Sequence, residues 1–344
     1  MKTLFLLKRR DDFKKEVHTK IGLQTGLYNS ANFMNEMLKS QGIESNIEVV
    51  HDNNDIDREV TKHRPDVVFI EGLWVVPEKF YVLSKLHPNV LWVVRIHSDT
   101  PFLAQEGIAF DWIMEYNKHP RMMIAPNSPK MFTDLEILMD DQKLVYLPNY
   151  YPLYESYKVK AIVGDEIHVG CFGAIRPLKN HLIQALACIK MGRVLGKKVF
   201  FHVNADRFEM NGQPVYNNLI GLSKNVDPSL FELILHPWVE HDDFLKLCGQ
   251  MDIGMQVSYT ETFNIVAADM VNMGVPVLCS SEIPWAQNSF MYSCNDFNNS
   301  IQICYKMINI YNNSEHCVDI LRNFLKLYSE KSKETWIKFL GDVK

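Results

Sequence analysis

Residues 261–278 concentrate the chemistry of this chain. They run Glu261-Thr-Phe-Asn-Ile-Val-Ala-Ala-Asp269, then Met-Val-Asn-Met-Gly274-Val-Pro-Val277-Leu278. The order reads as an acidic residue on a turn, a short helix entered at Phe263-Asn264, a glycine stop and an apolar strand. Glu261 precedes the helix and Asp269 lies about two turns into it. A helix start presents unpaired N–H donors and a partial positive charge of roughly half a unit, which suits a phosphate group. Carboxylates on either side cannot serve a phosphate, but they can hold sugar hydroxyls. The chemistry implied is the binding of a nucleotide diphosphate carrying a sugar at each end, a nucleotide sugar.

A second constellation is Gly173-Ala-Ile-Arg176-Pro-Leu-Lys179-Asn180, which follows an apolar run and precedes a helical pattern. Gly173 allows a close turn, and Arg176 and Lys179 can then reach one point beyond it. Two cations there would neutralise a diphosphate, the arginine as a fork and the lysine as a point charge. Alone, the segment reads equally well as a solvated turn with incidental basic residues. Its pairing with the Glu261 segment favours the phosphate.

The elements that must position these residues follow from periodicity. Residues 4–7, 47–50, 67–71, 90–96 and 122–125 are predicted strands. Residues 30–41 are a predicted helix, with Ala31, Phe33, Met34, Met37 and Leu38 at helical spacing and Gly42 closing it. Residues 143–147 add a sixth predicted strand before Pro148-Asn-Tyr-Tyr-Pro152 breaks the pattern. The alternation restarts with strands at 167–172, 199–204, 233–236, 253–256 and 275–279 and a helix at 182–195. The tail from 301 to 340 reads as helical. Strands separated by helical segments mean βαβ units and parallel sheets. The expected fold is therefore α/β with two Rossmann-like, doubly wound domains. They span 1–153 and 154–329, and a C-terminal helix of about 330–344 packs back on the first through residues 336–340. Ligands bind beyond the carboxyl ends of parallel strands, so the two domains are expected to face each other across a cleft.

Composition narrows the classes. A chain of 344 residues, 47% of them apolar, can build two cores of ordinary size. Its apolar runs are far too short to cross a bilayer. The apolar start of the chain stops at Lys8-Arg9-Arg10, so a first strand is preferred to a signal peptide. Seven cysteines lie scattered with no C-x-x-C pair and read as reduced core residues of a cytoplasmic protein. The net charge of −5 argues against wholesale coating of nucleic acid, though not against a local basic face. No G-x-G-x-x-G follows the first strand, which sets aside a NAD-dependent dehydrogenase.

Together the two constellations resemble those of a retaining glycosyltransferase of the GT-B fold, most similar to glycosyltransferase family 4. The family's Glu, seven residues, Glu and Gly-Val-Pro-Val stand here as Glu261, seven residues, Asp269 and Gly274-Val-Pro-Val277. Its Gly…Lys phosphate loop is matched by Gly173 and Lys179, with Arg176 displaced from its usual place. Leu147-Pro148-Asn149 resembles the Pro-Asn-Gly that ends the family's first domain, with Tyr150 in place of the glycine. The resemblance implies that Arg176 and Lys179 hold the donor diphosphate, that Glu261 binds sugar hydroxyls and Asp269 ribose hydroxyls, and that Phe263, Asn264 and Ile265 offer backbone N–H groups to phosphate. His97, in Arg95-Ile-His97-Ser-Asp99, matches a histidine that the family places near the transferred sugar. Gln24-Thr25-Gly26-Leu27-Tyr28 occupies the family's glycine-rich loop and keeps one glycine. Asp99 and Glu71-Gly72, which close strands, are acceptor-side candidates, as is Gly26.

Transfer requires the nucleotide diphosphate to leave while the sugar gains oxocarbenium character. Arg176, Lys179 and the helix start would stabilise the departing charge, so no metal and no cofactor is expected beyond the nucleotide-sugar substrate. Asp55-Ile-Asp57 has the form of a metal-binding pair but sits among Asn and Asp residues that read as a surface loop. The resemblance implies retention by front-face attack, with a donor phosphate oxygen taking the acceptor proton.

Residues 8–20, including Arg9 and Arg10, carry six cations against three acids. They suggest an anionic acceptor, although a charge run also reads as a solvated loop. Two acceptors fit: a hydroxymethylated pyrimidine in DNA, as some phage enzymes use, with the base flipped out of the duplex, or an anionic lipid-linked glycan at a membrane surface. Compact length and an asparagine-rich composition tilt the reading toward the phage-type DNA enzyme, in the host cytoplasm. Two other classes compete. A non-catalytic nucleotide-sugar or DNA-binding protein would bind donor without turnover, and a GT-B-like epimerase would consume donor without any acceptor.

Overall fold

The computed structural model describes residues 1–9, 26–139, 143–155, 164–286 and 292–343. The chain divides into two compact units. Unit 1 is Met1–Pro152 with Tyr328–Lys344, and unit 2 is Leu153–Leu327.

Unit 1 begins β1 (Lys2–Lys8), α1 (Gly26–Ser40), β2 (Glu44–Val50), α2 (Asp55–His63), β3 (Val67–Glu71) and α3 (Pro77–Leu86). It continues β4 (Leu91–Ile96), α4 (Thr100–Leu103), α5 (Ala109–Asn117), β5 (Met122–Pro126) and α6 (Pro129–Glu136). The five strands are all parallel, in the order β2-β1-β3-β4-β5. Because successive strand residues point to opposite faces, β1 splits its apolar side chains between two cores. Leu4 and Leu6 join one core with Ile56, Phe80, Ile113 and Met131 from the helices. Phe5 and Leu7 join the other with Met34 and Leu38 of α1 and with Trp336, Phe339 and Leu340. The Trp336 ring lies 5.0 Å from that of Phe69, and its indole N–H donates to the Pro148 carbonyl at 2.8 Å. An indole so placed typically costs about 3–5 kcal/mol to truncate to alanine.

Unit 2 contains β6 (Glu166–Gly170), α7 (His181–Leu195), β7 (Lys198–Asn204), α8 (Gly212–Asn225), β8 (Phe231–His236) and α9 (His241–Cys248). These are followed by β9 (Ile253–Gln256), α10 (Ile265–Asn272), β10 (Val277–Ser280), β11 (Ser293–Cys294) and α11 (Ser300–Asn312). The last helix, α12 (Ser314–Asp342), starts in unit 2 and ends in unit 1. Its six parallel strands run β11-β10-β9-β6-β7-β8. Gly170 and Gly254, on neighbouring strands, make a socket for Met270. A Cβ on either would lie 2.4 Å from that side chain. Two absent side chains thus let α10 settle directly on the sheet.

Three expectations change. Residues 143–147 do not form a strand; Leu144 makes an isolated bridge to Ile124. Val145 and Leu147 donate to Ile124 and Pro126, but the Leu147 carbonyl, which would continue the ladder, is taken by Arg95. The strand expected from residue 275 starts at Val277, because the Val275 N–H closes α10 on the Met270 carbonyl. Asp55 and Asp57 open α2 instead of lying in a loop. No described helix is long and apolar enough to cross a membrane.

Candidate functional site

The order of the unit 2 sheet decides which loops meet. From β6 the chain winds outward through β7 and β8, then returns to lay β9 on the other side of β6. β6 and β9 therefore flank a topological switch point, where open α/β sheets bind ligands beyond their carboxyl ends. The loops after β9, β6 and β7 stand side by side, and they carry Glu261, then Gly173 to Lys179, then Arg207 and Glu209.

Backbone and amide bonds pin the first two loops together. Tyr259 N–H donates to the Leu178 carbonyl, and the Asn180 side chain donates to the Val257 carbonyl. Gln184 donates to the Lys179 carbonyl and accepts from Val257. Gly173 has φ of 115° and donates its N–H to Asn204; the Cε of Lys179 passes 4.0 Å from where a Cβ would stand. A side chain there would be strained by the positive φ, although the lysine leaves it room.

The Lys179 ammonium meets the Glu261 carboxylate at 2.5 Å, and both groups are largely buried. Burial alone would raise the Glu261 pKa; the charges of Lys179 and Arg176 outweigh it and hold the carboxyl below its ordinary range. Arg176 pairs with Glu209 at 3.0 Å. The first residue of α7, His181, sits beside both cations. Burial, with Lys179 and Arg176 adding to it, pushes its pKa down to about 3, so the ring is neutral. Neither ring nitrogen has a hydrogen-bond partner among the described residues.

Asn264 takes a left-handed conformation, φ 61°, and caps α10 by accepting from the Ala267 N–H. Its amide also donates to Gln256 at the end of β9, while the Phe263 carbonyl accepts from the Trp285 indole. Residues 263–265 thus form the fixed amino end of α10, and that helix carries no acid in its first turn. Asp269 is buried and bonds the imidazole of His241 at 2.9 Å. Burial works against protonation of His241, yet Asp269 raises its pKa above the usual value.

In unit 1 the ends of β3 and β4 build a different site. Glu71 and Arg95 are both fully buried, and one guanidinium nitrogen reaches both carboxylate oxygens at 3.1 and 3.0 Å. The other nitrogen donates to the Leu147 carbonyl and to Asn149. Those two residues belong to the motif that resembles the family's domain-ending Pro-Asn-Gly. Nε2 of His97 lies 2.5 Å from Glu71, and Nδ1 lies 3.2 Å from the Asn127 amide. An amide donor at Nδ1 leaves the proton on Nε2, facing the carboxylate. Burial is the first cause that pushes the His97 pKa down, with Arg95 adding to it and Glu71 opposing. Both ring nitrogens are therefore engaged by protein groups.

The remaining candidates are more dispersed. Arg9 follows β1 and donates its backbone N–H to Val50; Arg10, Gln24 and Thr25 lie outside the described residues. Gly26 is the first residue of α1, within the helix instead of in a loop before it. Asp99 precedes α4 and accepts from the Ser128 hydroxyl. Asp55 binds the His51 N–H and Arg58, and Asp57 binds His87. One cluster of metal-ligating type occurs among the described residues, Glu48, Glu59 and His63. The ammonium of Lys62 already bridges its two carboxylates. Sequence reading missed Arg207, Glu209, His181 and His241. The single available signal was Asn204-Ala-Asp-Arg207, an apolar strand ending in charged residues.

No protein-family model matches the chain, and no curated protein matches its sequence. Solved structures do match in fold. Sucrose-phosphate synthase from Thermosynechococcus elongatus aligns with a TM-score of 0.70 at 12% identity, over 100% of this chain and 99% of that one. HepE from Anabaena, solved with UDP-glucose, aligns at 0.65 and 12%, over 99% of this chain and 100% of that one. TarM from S. aureus, solved with fondaparinux, α-GlcNAc-glycerol and UDP, aligns at 0.60 and 14%, over 82% of this chain. This chain spans 57% of TarM. Two parallel Rossmann-like sheets in this order, matched end to end by such structures, make the fold GT-B.

Proposed function

We propose that the chain is a retaining, metal-independent glycosyltransferase of family 4 type that moves a sugar from a nucleotide-diphosphate sugar to a hydroxyl acceptor. The observation that carries this reading is the meeting of Lys179 and Glu261, with Arg176 beside them, at the switch point of unit 2. Cations there stabilise the diphosphate as it leaves, in a site where burial strengthens their effect. Glu261, ionised and fixed, takes the hydroxyls of the sugar, and Asp269, oriented by His241, takes those of the ribose. The amino end of α10 adds N–H donors for phosphate. Structures of similar fold solved with UDP or UDP-glucose support a donor of this class.

Unit 2 then holds the donor and unit 1 supplies the acceptor groups. His97 offers a neutral imidazole to a sugar hydroxyl. The basic run at residues 8–20 directs us to an anionic acceptor, with hydroxymethylated pyrimidine in phage DNA first and lipid-linked glycan second. Seven buried cysteines, none in a disulfide, suit a reducing cytoplasm.

A thermal-shift panel of nucleotide sugars tests the donor. A ligand present at a hundred times its dissociation constant stabilises by roughly 2.7 kcal/mol. Mass spectrometry of hydroxymethylated DNA and of glycan acceptors, with and without EDTA, then reads transfer. A protein stabilised by none of the nucleotide sugars contradicts the reading. Donor consumed without acceptor points to the epimerase class.

A further inference from the structure

The loop after β7 carries charges that the sequence motifs did not include. Ile175 donates to the Arg207 carbonyl and accepts from the Glu209 N–H, both at 3.0 Å, and bridges Phe208 in parallel fashion. This zips the Arg176 loop to the Arg207 loop. The approach is close: a Cβ on Gly212 would stand 1.9 Å from the Ile175 carbonyl oxygen. As a result the two guanidiniums share one carboxylate. Glu209 takes Arg176 on one oxygen at 3.0 Å and Arg207 on the other at 2.5 Å. Arg207 is buried, and its guanidinium lies 4.9 Å from the centre of the Trp238 ring. An indole face attracts the cation without neutralising its charge.

Arg176, Lys179 and Arg207 face Glu209 and Glu261, so these five groups sum to +1 in a largely buried setting. A carboxylate held between two forks occupies the geometry that two oxygens of a phosphate would take. We propose that Arg207 is a third phosphate-binding cation of the donor site, and that Glu209 is an internal counter-anion whose place on the two arginines a donor phosphate takes. The proposal rests on the reading of unit 2 as a nucleotide-sugar site. It adds the residue that would separate a diphosphate from a monophosphate, since a third cation placed beyond Arg176 extends the positive surface past one phosphate.

Calorimetry on the full chain tests it. UDP, ADP, GDP and TDP are titrated first, and the tightest is carried forward with its nucleoside and with inorganic pyrophosphate. Arg207→Gln is expected to weaken the nucleoside diphosphate and pyrophosphate at least tenfold while leaving the nucleoside unchanged. Glu209→Gln is expected to tighten both phosphate probes several-fold, because the site gains one net positive charge. This second variant keeps Arg207 and Trp238 in place, so it decides the matter if Arg207→Gln does not fold. Equal affinities for wild type and Arg207→Gln, with Arg176→Gln impaired, would overturn the role of Arg207 alone. Unchanged or weaker binding in Glu209→Gln would overturn the counter-anion. Failure of the wild-type protein to bind any of the phosphate probes would overturn the donor reading itself.

Discussion

His97 in unit 1 and His241 in unit 2 look alike locally, since each bonds a buried carboxylate, Glu71 at 2.5 Å and Asp269 at 2.9 Å. Their pKa values nevertheless move in opposite directions. Burial lowers both. At His97 the Arg95 cation adds to that lowering, and Glu71 divides its charge between the two. At His241 the hydrogen bond and charge of Asp269, joined by Asp242, overcome burial. Burial, the largest effect at both rings, prevails at His97 and is overcome at His241. The wider sites differ accordingly. Glu71 and Arg95 have no exposed surface and tie β3, β4 and the Leu147–Asn149 turn together. Arg176 and Glu261 sit on loops, Lys179 ends a single 3-10 turn, and all three keep some exposure. The first arrangement suits architecture and the second suits exchange with a ligand.

The largest effect that would test this contrast is stability in unit 1. Glu71→Ala leaves Arg95 buried without its counter-ion and is expected to cost about 3–5 kcal/mol, read from the urea unfolding midpoint. A loss under about 1 kcal/mol would remove the distinction between the two sites. Next, Lys179→Ala is expected to reduce transfer by roughly a hundredfold or more while circular dichroism shows an intact fold. Normal turnover in this variant would contradict the donor assignment. Asp269→Asn is expected to cost about 1–2 kcal/mol, less than Glu71→Ala, because His241 can lose its proton where Arg95 cannot.

The smallest effect is on pH dependence. The raised pKa of His241 means its contribution to stability is fully present below the ordinary histidine value near 6.5 and fades as pH rises through the raised folded value. The lowered pKa of His97 works the other way: the unfolded chain takes the proton first, so stability is lost as pH falls below about 6.5. A proton NMR titration resolving the two rings should place one midpoint on each side of that value. Finding both on the same side would undo the comparison.

Much of the fold was legible because its signals are local. Strands β3 and β9 run over the residues their apolar runs mark, since alternation between apolar runs and helical spacing needs only near neighbours. The strand read at 143–147 failed for a non-local reason: the carbonyl of Leu147 serves a guanidinium 52 residues away. The same division holds at the site. Gly173, Lys179, Glu261 and Asp269 stood out because glycine, cation and carboxylate spacing around a strand end and a helix start is a sequence property. Arg207 and Glu209 did not, because nothing in their own segment says that β7 lies beside β6 or that Ile175 will pair with their backbone.

From the sequence alone came the alternation of strand and helix, the amino end of α10 and the types of group gathered near it, all of which depend on chemistry within a few residues. Tertiary structure alone decided the strand orders, and through them which loop ends meet: Lys179 with Glu261, Arg176 and Arg207 on one carboxylate, His97 against Glu71 and Arg95. The reason is physical. Backbone propensity acts over one or two turns of chain, whereas a buried charge finds its partner only after sheets have closed and water has been excluded around both.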